Sequence, residues 1–79
     1  MVTVRYFAGA RAAAGVEEEK VAAATLADLV AMATSEHGEA LGKVLAVASF
    51  LVDSVVWHDR AAALPDGASV DVLPPFAGG

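Results

Sequence analysis

The sequence predicts an α+β domain, a mixed sheet of about five strands packed on one main helix. Three observations carry this. Both ends of the chain alternate in hydropathy and are rich in β-formers, Val2-Thr3-Val4-Arg5-Tyr6-Phe7 at one end and Ser69-Val70-Asp71-Val72-Leu73 at the other. Between them a capped segment with a single apolar stripe reads as an amphipathic helix. The length, 79 residues, allows one small domain. Residues 1–73 are expected to form its body and residues 74–79 a C-terminal tail.

Along the first strand, Val2, Val4 and Tyr6 share one face, and Thr3, Arg5 and Phe7 share the other. Ala8 to Gly15 reads as a connection with turn points at Gly9 and Gly15, followed by a second strand over Val16 to Ala22 that pairs with the first as a hairpin. The Glu17-Glu18-Glu19 run reads as a solvated edge that discourages aggregation. Thr25 with Asp28 marks a helix start, and Leu26, Leu29, Val30 and Ala33 fall at i, i+3, i+4 and i+7 up to a terminating Gly38. A short second helix is expected over Glu39 to Ala46, with Leu41, Val44 and Leu45 inward. Val47 to Val52 and Val55 to His58 read as strands joined by a tight Asp53-Ser54 turn. Asp59 to Leu64 is a connection ending in a buried Leu64, and Pro65-Asp66-Gly67 turns the chain into the last strand.

One apolar stripe covers only one face of a sheet, so the other face meets water or a partner. If Val2, Val4, Tyr6, Val70 and Val72 point to the helix, Phe7 and Leu73 point away from it. Trp57, with Val55, is expected to join them in an apolar docking patch beside the root of the tail.

Composition narrows the chemistry. Apolar residues make up 57% of the chain, but nineteen of them are alanine, so the core is modest. Ten acidic against five basic residues give a net charge of −5, which argues against nucleic-acid binding. With no cysteine, a disulfide framework, a cysteine-based zinc site and a cysteine nucleophile are excluded. No signal peptide or membrane span is evident, and a cytoplasmic location is the default expectation. His37 and His58 lack a convergent carboxylate or cysteine cluster, and the serines lack a nucleophile-elbow context, so no metal, bound cofactor or internal active site is expected.

What remains is the tail, Pro74-Pro75-Phe76-Ala77-Gly78-Gly79. The two prolines stiffen its exit, because each fixes φ and lacks an N–H. Glycine has no Cβ, so Gly78 and Gly79 keep the tip thin and leave a terminal carbonyl open to attack. Six extended residues reach about 20 Å at ~3.3 Å each, enough to enter a buried pocket of another protein.

At this point the sequence resembles the MoaD/ThiS family of sulfur carriers, most closely the MoaD-type small subunit of molybdopterin synthase. Val4-Arg5-Tyr6-Phe7-Ala8 with Arg11 and Gly15 is similar to the family's opening strand and loop, and Leu64 through Gly79 is similar to its closing segment. Phe76 departs from the pattern, being bulkier than the valine common there. The resemblance implies a ubiquitin-like β-grasp fold. It also implies that an ATP-dependent adenylating enzyme activates Gly79, that sulfur replaces oxygen to give a thiocarboxylate, and that Gly78 clears its path. The small protein, not an enzyme on its own, would then dock on the large catalytic subunit of molybdopterin synthase through Phe7, Trp57, Leu73, Pro74, Pro75, Phe76 and Ala77, delivering sulfur to a pterin precursor. The same tail would serve a carrier for thiamine thiazole or cysteine synthesis, or a ubiquitin-like protein modifier.

Overall fold

The computed structural model describes residues 1–75. The element order is β1 (Val2–Tyr6), α1 (Ala8–Ala14), β2 (Glu18–Val21), α2 (Leu26–His37), α3 (Glu39–Val47), β3 (Ser49–Val52), β4 (Val55–Trp57) and β5 (Ser69–Leu73). The strands form one mixed sheet in the order β2-β1-β5-β3-β4. β1 and β5 run parallel, and every other neighbouring pair is antiparallel. The last strand therefore lies at the centre of the sheet, held by a ladder on each side.

Alternation sorts the strands as expected. Val2, Val4, Tyr6, Phe50, Val52, Val70 and Val72 are all buried on the helix-covered face. They meet Leu26, Leu29 and Ala33 of α2 and Leu41 and Leu45 of α3 in one core. The Thr25 hydroxyl accepts the Asp28 backbone N–H at 3.1 Å and caps α2, whose end is closed by Gly38 at φ 101°. That conformation carries little penalty only without a Cβ. Leu64, expected to be buried, is partly buried and packs against the core.

The cover is wider than one helix. Ala8 to Gly15, expected to be a connection, is helical over Ala8–Ala14, with Ala10 and Ala14 buried at i and i+4 and Gly15 closing the end at φ 77°. Alanine is the best helix former, so the segment needs no large apolar stripe to coil once a neighbour accepts its small face. Gly9, taken as a turn point, lies inside this helix. α3 also packs tightly on α2. A Cβ built on Gly42 would lie 2.8 Å from Cγ2 of Thr34, so glycine is what permits this approach.

The β3–β4 hairpin corrects the expectation for Trp57. Asp53 and Ser54 both take positive φ, 48° and 70°, the geometry of a two-residue turn whose twist suits a hairpin. This sets Val52 opposite Val55 and Phe50 opposite Trp57. Residues directly opposite share a face. Trp57 accordingly faces the core side with Phe50 and packs on the core, while Val56, opposite Leu51, takes the uncovered side.

Candidate functional site

The uncovered face and the end of β5 form the candidate site. The ladders align Glu18, Arg5, Asp71, Leu51 and Val56 in one row across all five strands. Its polar half is centred on Arg5, whose Nε lies 3.1 Å from Asp71 Oδ1. That oxygen is sequestered from solvent and receives no well-aligned hydrogen bond, so the contact is an ion pair without a directed N–H. The Arg5 guanidinium also lies over the Phe7 ring, 5.4 Å from its centroid, within range of a cation–π contact. The apolar half is Leu51 and Val56, the latter 51% exposed.

Toward the tail the same face ends in Phe7 and Leu73, both half-buried. Leu73 pairs with Ser49, and the Phe7 N–H donates to the Val72 carbonyl at 3.3 Å, so β1 and β3 grip the last strand up to its final residue. Pro74 is buried and Pro75 exposed, which leaves Pro75 as the ring available to a partner. Phe76, Ala77, Gly78 and Gly79, expected to carry the chemistry and its approach, lie outside the described residues. Arg11, near the end of α1, pairs with Glu17 at 3.0 Å beside a solvent-open depression of about 460 Å³ that Arg5 and Phe7 also line.

One polar cluster was not foreseen. Glu19 does not behave as part of a solvated acidic edge. Its Oε2 accepts the Tyr6 hydroxyl at 2.6 Å and contacts His37 Nε2 at 2.5 Å. Register explains this, since Glu19 lies opposite Val4 and so points to the covered side. Burial, reinforced by the Glu19 carboxylate, holds the Tyr6 hydroxyl well above its ordinary range. The cluster ties β1, β2 and the end of α2 together at the rim of the core, on the covered side of the sheet, and it reads as structural. His58 is exposed. The alternation of Glu19 with Val21 was the signal in the sequence that could have identified it.

A mixed five-stranded sheet with helices on one face and its last strand in the middle defines a ubiquitin-like β-grasp protein. A structure from Methanosarcina acetivorans, small archaeal modifier protein 1, shares this fold at a TM-score of 0.83, with 23% identity over 99% of this chain and 95% of that one. The chain belongs to the ThiS family, whose profile matches residues 4–79. A chain from Pyrococcus furiosus described, provisionally, as molybdopterin converting factor subunit 1 is 29% identical, covering 95% of this chain and 97% of that one, with a TM-score of 0.81. A chain from the complex of subunits 1 and 2 of the Helicobacter pylori molybdopterin-converting factor is 27% identical over 99% and 97%, with a TM-score of 0.74. Comparison with curated protein sequences finds no match. Among the described residues, no helix is long and apolar enough to cross a membrane.

Proposed function

We propose that this protein is a sulfur carrier whose C-terminal Gly79 is adenylated and converted to a thiocarboxylate, and that it donates this sulfur to a pterin precursor in molybdopterin synthesis. The observation that carries the reading is the position of β5. The strand leading to Pro74-Pro75 and the terminal Gly78-Gly79 lies at the centre of the sheet, between β1 and β3. A tail rooted there is aimed by the whole body, while its tip stays narrow enough to enter a partner.

The chemistry balances without any catalytic group on this chain. The Gly79 carboxylate attacks the α-phosphorus of ATP and pyrophosphate leaves. Hydrosulfide then adds to the carbonyl of the acyl-adenylate and AMP leaves, giving the thiocarboxylate. That sulfur displaces an oxygen leaving group from a carbon of the acceptor, and water hydrolyses the resulting thioester, which returns the carboxylate and leaves a thiol on the acceptor. Activation and transfer belong to two partners, an ATP-dependent adenylating enzyme and the large catalytic subunit of molybdopterin synthase, and the carrier acts in the cytoplasm.

Docking on the large subunit uses the uncovered face, with Phe7, Leu73 and Pro75 around the tail and Leu51 and Val56 extending the apolar area. The Glu18–Arg5–Asp71 row supplies charge complementarity, which governs register and encounter more than raw affinity. Support for the molybdopterin branch comes from the two relatives at 27% and 29% identity, both described as parts of a molybdopterin converting factor.

Intact-mass analysis after incubation with ATP, an adenylating enzyme and a sulfur donor tests the first half. The mass should rise by the difference between sulfur and oxygen, and extension of the chain by one residue after Gly79 should abolish the gain. Adducts on lysines of other proteins with no such gain would instead identify a modifier. Supplying the charged protein to pterin, thiazole and cysteine-forming systems tests the second half. Sulfur consumption by either of the latter alone rules out the molybdopterin assignment.

A further inference from the structure

Two of the three arginines are matched by acids, Arg5 by Asp71 at 3.1 Å and Arg11 by Glu17 at 3.0 Å. Among the described residues Arg60 has no carboxylate partner, although it is half-buried. Its guanidinium lies over the Phe50 ring, 5.0 Å from the centroid. Nη2 faces the Leu45 carbonyl in the last turn of α3 only at 3.5 Å, beyond the usual ~2.7–3.2 Å of such bonds. A planar fork of N–H donors is thus held in place by an aromatic face and one long contact. Its charge is left without an anion.

Arg60 lines a hollow of about 140 Å³ with Ser49, Trp57 and His58, beside the apolar Phe50 and Val56. Every polar side chain in this lining can donate a hydrogen bond, through a hydroxyl, an indole N–H, an imidazole N–H or a guanidinium. None is anionic, in a chain whose net charge is −5. Asp59, the acid next to Arg60 in the chain, accepts the Ala61 N–H at 2.9 Å and does not line the hollow. Register fixes the place. Ser49 pairs with Leu73, the last residue of β5, so the hollow lies one strand from the root of the tail.

We infer that this hollow receives a single carboxylate side chain of the protein that docks around the tail root, with Arg60 and Trp57 as its donors. Naming that protein as the large catalytic subunit rests on the carrier reading above. The size supports one side-chain group, since pockets for whole small molecules run to about 300–1,000 Å³. The sign supports an anion, and a planar carboxylate matches the guanidinium fork in two parallel bonds. The position supports a docking partner, because Val56 of the uncovered face also forms part of the wall. Such a contact would fix the rotation of the carrier about its tail, which apolar contacts at Phe7 and Leu73 define less sharply.

The first test uses the isolated full-length protein and acetate as a mimic of the carboxylate. Trp57 is the only tryptophan, so its indole N–H resonance reports on the hollow directly. It should shift with acetate more than with chloride at equal ionic strength, and Arg60→Gln should abolish the difference. Equal responses to acetate and chloride would overturn the site. A response to inorganic phosphate without one to acetate would reassign it to a phosphate group and overturn the carboxylate. The second test is calorimetric titration with the large subunit. Arg60→Gln should weaken docking about tenfold, the scale of a charge-assisted hydrogen bond. Arg60→Lys should recover only part of this, because an ammonium lacks the fork. Trp57→Phe, which keeps a ring on the core but lacks the N–H, should weaken docking less than Arg60→Gln. Unaltered affinity in a folded Arg60→Gln protein would overturn the docking role and leave Arg60 a support for Phe50 and α3. Sulfur plays no part in the acetate measurement. A chain that senses acetate but cannot be charged with sulfur would refute the carrier reading alone, and a chargeable chain that ignores acetate would refute only the hollow.

Discussion

The two faces of the sheet are made by the same five strands, yet they differ in almost every respect. On the covered face, Val2, Val4, Tyr6, Phe50, Val52, Val70 and Val72 each retain 2% exposure or less. On the uncovered face the alternating partners are Arg5, Asp71, Leu51 and Val56, a mixture of charge and partly exposed apolar surface. A face that must hold the fold together is uniform, because a buried polar group without a partner costs more than a hydrogen bond returns. A face that must recognise something keeps polarity and shape. Substitutions on the two faces should therefore separate stability from binding.

The largest effect is expected on the covered side. Leu29→Ala, at a fully buried position of α2, should lower unfolding stability by about 2–5 kcal/mol, read by urea denaturation. A loss below about 1 kcal/mol would mean that the helix layer is not the true core. On the uncovered side, Phe7→Asp or Leu73→Asp should leave the denaturation midpoint nearly unchanged. Docking on the large partner subunit should nevertheless weaken by at least tenfold, since central apolar contacts carry about 2 kcal/mol or more each. Titration calorimetry with unaltered affinity, or circular dichroism showing lost helix, would break the proposed division of labour.

Two smaller effects probe the edges of the covered face. Gly42→Ala gains helix propensity, worth up to about 1 kcal/mol, but overpacks Thr34 at a typical cost of about 1–3 kcal/mol. The net should be a loss near 1 kcal/mol, restored by adding Thr34→Ala. Failure of that second change to rescue would show that the contact with Thr34 is not the source of the loss.

The smallest effect concerns Tyr6. Its hydroxyl titrates near 10.0 in the unfolded chain and higher when folded. The folded state thus holds its proton more tightly, so this contribution is fully present below pH 10.0 and declines as pH rises beyond it. Tyr6→Phe should lower stability at neutral pH by about 1 kcal/mol and flatten the alkaline decline. A denaturation series against pH that falls equally steeply for both proteins would assign the decline to other groups.

Much of this architecture was legible in the sequence. The alternation in Val2–Phe7 and Ser69–Leu73, the Thr25 cap with its apolar stripe, and Gly38 as terminator locate the first and last strands and the main helix to within a residue or two. These are local signals, because a two-residue or 3.6-residue period is set by backbone geometry alone. The direction of Phe7 and Leu73, away from the helices, followed from the same period.

What escaped is non-local. α1 is built from alanines whose small faces become a core surface only when α3 and β5 lie against them, so no periodic stripe announces it. Trp57 went to the covered side because the two positive-φ residues of the Asp53-Ser54 turn fix which residue of β4 meets Phe50. A register shift of one would have reversed every side chain of that strand. Glu19 was drawn inward in the same way, by pairing opposite Val4 within reach of Tyr6 and His37. The sequence by itself determined which residues share a face and where the tail must begin. Only the tertiary structure decided which face each strand turns to the core, because that choice depends on partners distant in the chain.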